Sequence, residues 1–598
     1  MTSIPRPSSI FIVVLLLILN GGLSAAPAEW QNSLKPKGSK AGDVILVDNG
    51  KARCAIQIAE RATEPEKKAA EELQVWIEQI TTARVEITIQ DTGPAVQIRR
   101  DPALGEEGYR IAIDGDDLVL AGGTGRGTIN AVYALLEEDL GCRFYTNEAI
   151  KLPTNKTLVV QPVARSYIPQ LRQRDPYYSA AFDATWSLRN RTNTSRALVG
   201  EEYGGHIDFD VLFLHTHLAL LPPAIYLEKE NHPDYYSLSK SGERYKEQLC
   251  PTHPDVTRII TTNVLKTLKE SPHTEIVSVS KNDNMEICHC ERCSSLRAAE
   301  GDSDIACQLV LVNAVAEAVE QEFPNVVVST LAYEETLQIP KTIRPRKNVA
   351  IQLCNGYAGG CSHPFTPAEQ CDVADAVTAW ANWHDQIYVL DYAVNFHHYF
   401  APIPNLDVIA SNIRFWVKNH AKGVMILGGY QGPSESDELR AWVMSKLLWD
   451  PSRDEKELVQ DFIFGHYGSA APAIAEYWEL QNHLRETQTA AMAAPQGGIY
   501  FSIDAPFLTE DFLTQAAEIF TRAKRLAADN AEVLRRVERA ELPILYVKLA
   551  RGQASTKPDG IDILTRFERI ARREGVTTLR EGTADFETTL AKWKASIQ

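Results

Sequence analysis

The residues best equipped for chemistry crowd into one run, Thr274–Cys293, which reads TEIVSVSKNDNMEICHCERC. After Ile276, Val277 and Val279 alternate with Ser278, Ser280 and Asn282, so one face of an extended segment is apolar and the other polar. Asp283 stands at its end. A half-polar strand that finishes in a carboxylate suits the wall of a barrel whose mouth holds a site. Polar residues at the ends of the other strand candidates would share that mouth: Asp175, His215, His217, Glu334, Glu335, Asn355 and Asp391. Two carboxylates across one bond are the minimum equipment for glycoside hydrolysis, one to protonate the leaving oxygen and one to activate water or attack carbon. Asp283, Glu334 and Asp391 are the catalytic candidates. Successive strand residues point to opposite faces, so only one of Glu334 and Glu335 can face the reacting bond. The competing reading of each acid is a helix cap or an arginine partner.

Residues suited to holding a sugar stand near these acids. His215 and His217 form an H-x-H pair on an extended segment, which fits hydrogen bonds to a hydroxylated substrate and, second, metal ligation. The run from Asp391 to Phe400 supplies Tyr392, Asn395, His397 and His398. Its flat rings and polar donors match the apolar faces and hydroxyl rim of a sugar ring. Asn282 joins that binding set. Arg189 and Arg191 are two cations fit for the carboxylate of a uronic acid, or else a plain pair of surface charges. Cys288, Cys290 and Cys293 follow C-x-C-x-x-C spacing. In an exported chain a disulfide comes first and a structural metal second. A fourth ligand would come from His289, Cys250, Cys307, Cys354 or Cys361.

Positioning these groups needs a scaffold, and the chain of 598 residues has room for several cores. Arg6, the apolar run Ile10–Leu19 and the small residues through Ala26-Pro27-Ala28 make residues 1–28 a transport signal. No later segment is apolar enough to span a membrane, so the expected location is secreted, periplasmic or on a bacterial surface. Residues 29–164 read as an α+β domain, with a helix over Glu64–Ile80. Gly123, Gly125 and Gly127 fit neither dinucleotide nor phosphate-loop spacing, and they read as a tight strand-to-helix turn. No cofactor is called for.

Residues 165–450 alternate strand and helix. Strands are expected at Ile168–Arg174, Val211–His215, Ile276–Ser280, Val326–Tyr333, Val349–Leu353, Ile387–Tyr392 and Gly423–Gly428. An eighth would lie near Leu249 or beyond Gly429. That repetition predicts a TIM-like (β/α)8 barrel, with an open doubly wound sheet as the alternative. Residues 451–598 read as a helical domain, with Tyr500 and Phe501 near the cleft. With 61 basic and 78 acidic residues, the net charge of −17 argues against a nucleic-acid partner. The oligomeric state is not legible.

Several segments in fixed order resemble a known bacterial family. They are QLCPTHPDVTRIITTNVL, SVSKNDNMEICHCERC, STLAYEET, VLDYAVNFHHYFAPIPNL and ELRAWVMSKLLWDP, within Arg165 to Tyr477. The family is the domain of unknown function numbered 4838, and Lys281 stands where its usual phrase has Gln. Gly122–Tyr145 is similar to the N-terminal domain found before the barrel in α-glucuronidases and β-hexosaminidase-like enzymes. The resemblance implies a glycoside-hydrolase-like barrel from a polysaccharide-degrading bacterium. The resulting expectation is an exported glycosidase acting on a poly- or oligosaccharide, uronic-acid-containing in one version. Asp283 or Glu334 would act as proton donor, and Asp391 would position water. Two competing readings are a non-catalytic carbohydrate-binding protein and a metal-dependent hydrolase built on His215, His217 and the cysteines.

Overall fold

A computed structural model describes residues 29–597, apart from 92, 210–211, 356–371, 493–498, 554–559 and 583. The expected leader, residues 1–28, lies outside them. Among the described residues no helix is long and apolar enough to cross a membrane.

The central element is a six-stranded parallel sheet. Its strands are β1 (Gln173–Tyr177), β2 (Ile276–Ser278), β3 (Val327–Ala332), β4 (Val349–Cys354), β5 (Ile387–Tyr392) and β6 (Gly423–Leu427). Runs such as VVSTLA, VAIQLC and GVMIL are rich in β-branched residues and buried along their whole length. That continuous burial is expected of parallel strands covered on both faces. The order β1–β6–β5–β4–β3–β2 follows the chain around the sheet and sets the first strand beside the last. There is none of the strand-order reversal of a doubly wound sheet, and the result is a curled half-barrel.

The expected eight-stranded ring is not closed among the described residues. At the second position only Phe209 makes a bridge, parallel to Ile276. Of the strand expected over Val211–His215, Val211 lies outside the described residues; the Leu212 carbonyl accepts from Ser278 N–H at 3.2 Å, but Leu214 takes φ = +58°, a left-handed conformation that interrupts strand geometry. Leu249 belongs to an antiparallel hairpin, Tyr236–Leu238 with Arg244–Leu249, outside the sheet. Beyond Gly429 the chain enters the helix Asp437–Trp449. Helices expected near 254–269, 305–323, 374–384 and 406–419 are found at Pro254–Glu270, Ile305–Glu322, Asp372–Ala381 and Leu406–Lys418.

Ahead of this sheet lies a mixed six-stranded sheet covered by the helix Glu64–Thr81. Its edge strand is Arg165–Tyr167, paired with Tyr109–Ile111. The glycines at 122–127 serve close packing. A Cβ on Gly122 would sit 2.0 Å from the Thr128 nitrogen, and one on Gly123 would sit 2.2 Å from the Gly105 carbonyl. After residue 450 every described element is helical, through Phe586–Ile597.

Charges buried at the junctions hold these parts together. Glu137 is fully buried, and it takes Arg191 at 2.5 Å and Lys446 at 2.7 Å. Arg191 also pairs with Glu138 at 3.0 Å, and Arg143 meets Asp461 at 2.7 Å with both side chains fully buried. Burial works against ionising Glu137, yet Lys446, Arg191 and Arg143 hold its carboxyl below the usual range. For Asp461, Arg143 overcomes burial in the same direction. Arg191, expected to meet a substrate carboxylate, is committed to this interior network. Arg189 is withdrawn too, its guanidinium 5.1 Å from the Trp76 ring centre and 5.5 Å from that of Phe144. A lone carboxylate left in such surroundings is costly.

Arg191→Met is therefore expected to destabilise the protein by roughly 3–5 kcal/mol. Calorimetric melting checks this, and an unchanged melting temperature would contradict it. Because Glu137 and Asp461 titrate low in the folded state, their contribution is complete above the ordinary carboxylate range. It is lost as pH falls through their lowered values. Arg191→Met should flatten that acid limb of the stability profile.

Candidate active site

Parallel strands gather their C-terminal ends at one edge, and the acids collect there. Beyond β2 the Ser280 carbonyl accepts from Thr216 N–H at 3.2 Å and from His217 N–H at 3.1 Å, and the chain then turns at Asp283, where Asn284 N–H donates to the Asn282 carbonyl at 2.9 Å. Asn282 anchors this loop, donating to the Glu247 carbonyl at 2.8 Å and accepting from Leu218 N–H at 3.4 Å. Asp283 projects from it, exposed. Next door β3 ends at Ala332, and the Tyr333 hydroxyl donates to Asp283 Oδ1 at 3.2 Å.

Glu334 follows at once with φ = +52°, opening a short turn. A left-handed glutamate costs on the order of 1 kcal/mol or more, and such strain clusters where a side chain must be aimed. Thr336 Oγ1 fixes the turn by accepting from Tyr333 N–H at 3.1 Å. Glu334 is half-buried. Burial pushes its carboxyl above the ordinary range and the Asp283 charge pushes it further, while the Lys281 cation pulls it back. Glu335 turns the other way and pairs with Lys281. The two glutamates divide because the turn at Glu334 aims them apart, not through strand alternation, and Glu334 is the one near the Asp283 charge.

Asp391 does not join them. It is fully buried. Its oxygens accept from Asn355 at 2.7 Å, Tyr392 N–H at 2.9 Å, Trp416 at 3.3 Å and Asn412 at 3.4 Å. Burial raises its carboxyl and these donors lower it, so it ties strand ends together from behind. Asp175 is likewise interior, pushed by burial to about 7.

The two histidines separate. His215 is exposed, with its Nδ1 2.8 Å from the Lys281 carbonyl and its Nε2 3.9 Å from Asp283 Oδ1. His217 begins the helix His217–Leu220 and is buried between Gln248 and Gln308, where desolvation lowers it to about 3 and keeps it neutral. The H-x-H pair therefore does not point two imidazoles at one ligand.

In the aromatic run, Tyr392 lies close enough to Asp283 to feel its charge. Its ring packs 5.9 Å from Phe396, and the exposed His397 lies tilted against Tyr500 at 4.7 Å. Asn395 is buried and donates to the Phe501 carbonyl at 2.8 Å. His398 meets the Tyr546 hydroxyl at 2.8 Å, and burial lowers it to about 4. These last two brace the C-terminal helices rather than line the opening.

Further residues lie around these acids, among them Tyr500, expected near the cleft, and Cys354, named only as a possible metal ligand. The Tyr430 hydroxyl donates to Glu581 at 3.0 Å and that of Tyr500 at 3.4 Å, bringing the C-terminal region across the mouth. Tyr177, at the end of β1, packs 5.7 Å from Tyr430, and Arg196 donates to its hydroxyl at 2.8 Å. Cys354 forms a buried floor, its thiol raised by burial and by the charges of Asp283 and Glu334. Tyr333 and Cys354 had a signal, since each adjoins a strand-end residue already named. Glu581 had none. Away from the mouth, Cys250 joins Cys288, Cys290 and Cys293 in one cluster. The eight described cysteines are free thiols, and Cys361 lies outside the described residues.

No curated protein matches the chain. Among solved structures, BtGH115A, a family GH115 4-O-methyl-α-glucuronidase with specificity for decorated arabinogalactans, superposes with a TM-score of 0.57 at 10% identity. That match covers 89% of this chain and 77% of that one. A GH20 β-N-acetylhexosaminidase from Streptomyces coelicolor A3(2) aligns with a TM-score of 0.42 at 13% identity, over 75% of this chain and 97% of that one. At 10% identity the likeness to BtGH115A is one of fold. The model of the family described as Domain of unknown function (DUF4838) matches residues 144–479. With more than half its length matched, the chain belongs to the DUF4838 family.

Proposed function

We propose that the protein is a glycoside hydrolase that cleaves an O-glycosidic bond at the mouth formed by Asp283, Tyr333 and Glu334. The observation that carries this reading is that two carboxylates from neighbouring strand ends, the exposed Asp283 and the half-buried Glu334, lie near enough for the charge of one to act on the other, with Tyr333 and Tyr392 beside them. Raised by burial and by the Asp283 charge, Glu334 holds the proton that a leaving glycosidic oxygen needs. As the bond between anomeric carbon and oxygen breaks, that proton passes to the oxygen. Asp283 takes a proton from the incoming water, whose hydroxyl adds to the carbon. Tyr333 steadies Asp283, and the neighbouring aromatic rings offer faces for the sugar's C–H surface. The neighbour BtGH115A is a 4-O-methyl-α-glucuronidase with specificity for decorated arabinogalactans, and a carboxylated sugar here would meet Arg196, since Arg189 and Arg191 are engaged inside. The same reading makes the carbohydrate the partner and places the mature protein in an exported compartment.

A panel of neutral and uronic-acid-containing oligosaccharides, scored by sugar release, identifies the responsive glycan. On it, Asp283→Asn and Glu334→Gln are each expected to lower kcat/KM by about 100- to 10,000-fold with melting unchanged. Near-normal turnover by either variant would remove that residue from the chemistry. Binding without turnover by the intact protein would favour the carbohydrate-binding alternative.

Activity should depend on protonated Glu334, and so be lost as pH rises through a value above the ordinary ~4.3 of a glutamate. Lys281→Gln removes a cation that lowers Glu334, so the basic limb should move to higher pH. A limb that stays put or moves down would contradict the assignment. Arg196→Ala is expected to raise KM for acidic glycans more than for neutral ones. Equal effects would leave no case for recognition of a sugar carboxylate.

A further inference from the structure

We infer that Cys250, Cys288, Cys290 and Cys293 bind one structural zinc ion as a tetrathiolate. Their sulfur atoms all lie within 4.8 Å of one another. Cys250 Sγ is 3.6 Å from Cys290 Sγ and 3.9 Å from Cys293 Sγ. Four zinc–sulfur bonds of about 2.3 Å arranged tetrahedrally place the sulfurs about 3.8 Å apart. A disulfide would instead draw one pair to about 2.05 Å and leave the others aside. Cys250 sits nearly equidistant from two partners, as the corner of a tetrahedron does and a disulfide half does not.

The surroundings suit thiolates. Leu238 N–H donates to Cys288 Sγ at 3.4 Å, and Thr252 Oγ1 lies 3.1 Å from Cys293 Sγ. The helix Glu291–Ala299 starts just after Cys290 and carries Cys293 in its first turn, so its free N–H groups and positive end face the cluster. Arg297 donates to the Cys288 carbonyl at 2.6 Å, fixing the loop that presents this ligand. Zinc entering the site displaces up to four thiol protons and leaves a net charge of about −2, which these donors offset. Cys307 is a neighbour rather than a ligand, since its thiol donates to the Cys293 carbonyl at 3.5 Å.

The ion would join two separate segments. Cys250 follows the hairpin strand Arg244–Leu249 directly, while Cys288, Cys290 and Cys293 end the loop that carries Asp283. At its other end that loop is tied to the same hairpin, through Asn282 and Asn284 amides donating to the Glu247 carbonyl at 2.8 and 3.2 Å. Zinc would complete a clamp around residues 282–288. This inference does not depend on the hydrolase reading, because a structural metal can be present whether or not the mouth turns over a sugar.

The test is elemental analysis of the purified full-length protein alongside peptide mapping without reductant. About one zinc per chain is expected, falling below about a tenth in Cys250→Ser and staying near one in Cys54→Ser. Should Cys250→Ser fail to fold, the wild-type protein is stripped with a thiol-directed mercurial and reloaded with cobalt(II). The intense visible and sulfur-to-metal absorption of tetrahedral thiolate cobalt is then expected. Zinc-free protein with disulfides among the four cysteines would overturn the inference, as would zinc that survives Cys250→Ser or cobalt reloading without those bands.

Discussion

A fully buried glutamate, Glu137, is the constraint on which the arrangement rests. It needs both Arg191 and Lys446, which come from different parts of the chain. Neither cation can leave without stranding a charge in a low-dielectric interior. The second buried pair, Arg143 with Asp461, locks the same N-terminal segment to the first of the C-terminal helices. Only with these parts locked do Tyr500 and Glu581 arrive opposite the strand ends and meet Tyr430 there. The interior ion pairs thus set the shape of a mouth they do not touch.

Within that mouth two acids of similar intrinsic strength are placed differently. Asp283 projects into solvent under a hydrogen bond from Tyr333, whereas Glu334 is half-buried on a strained turn. Burial raises Glu334 most, Lys281 pulls it back, and the Asp283 charge adds to the rise. Different surroundings are what allow two carboxylates to play unlike parts in one reaction.

Several of these features were legible in the sequence. Asp283 and Glu334 were visible because a strand period of two and an abrupt polar end mark a strand's C-terminus, and five of the seven named strands are found with ends shifted by at most two residues. Asp391 carries the same sequence signal as Asp283. What separates them is whether neighbours such as Asn355 and Trp416 fill the carboxylate's bonding positions, and those neighbours come from other segments. Arg189 and Arg191 misled for a related reason. A cation bound for a buried glutamate looks the same in one dimension as a cation bound for a substrate. His217 illustrates the converse, since it begins a helix that holds it beneath the surface while His215 stays exposed. The strand expected at Val211–His215 has the right apolar pattern, and its chain runs beside β2, but the left-handed residue Leu214 interrupts regular strand geometry. Cys250 stood among several possible fourth ligands, and only the hairpin that carries it to the cluster distinguishes it from Cys354.

The central claim is that Asp283 and Glu334 face a single glycosidic bond. Its most direct test is a crystal structure of the Glu334→Gln protein with an intact oligosaccharide bound. The glycosidic oxygen is expected within hydrogen-bonding distance of the side chain at 334, with room for one water between the Asp283 carboxylate and the anomeric carbon and sugar rings against Tyr392 and Tyr500. A saccharide seated elsewhere, or one whose linkage lies beyond reach of both side chains, would contradict it.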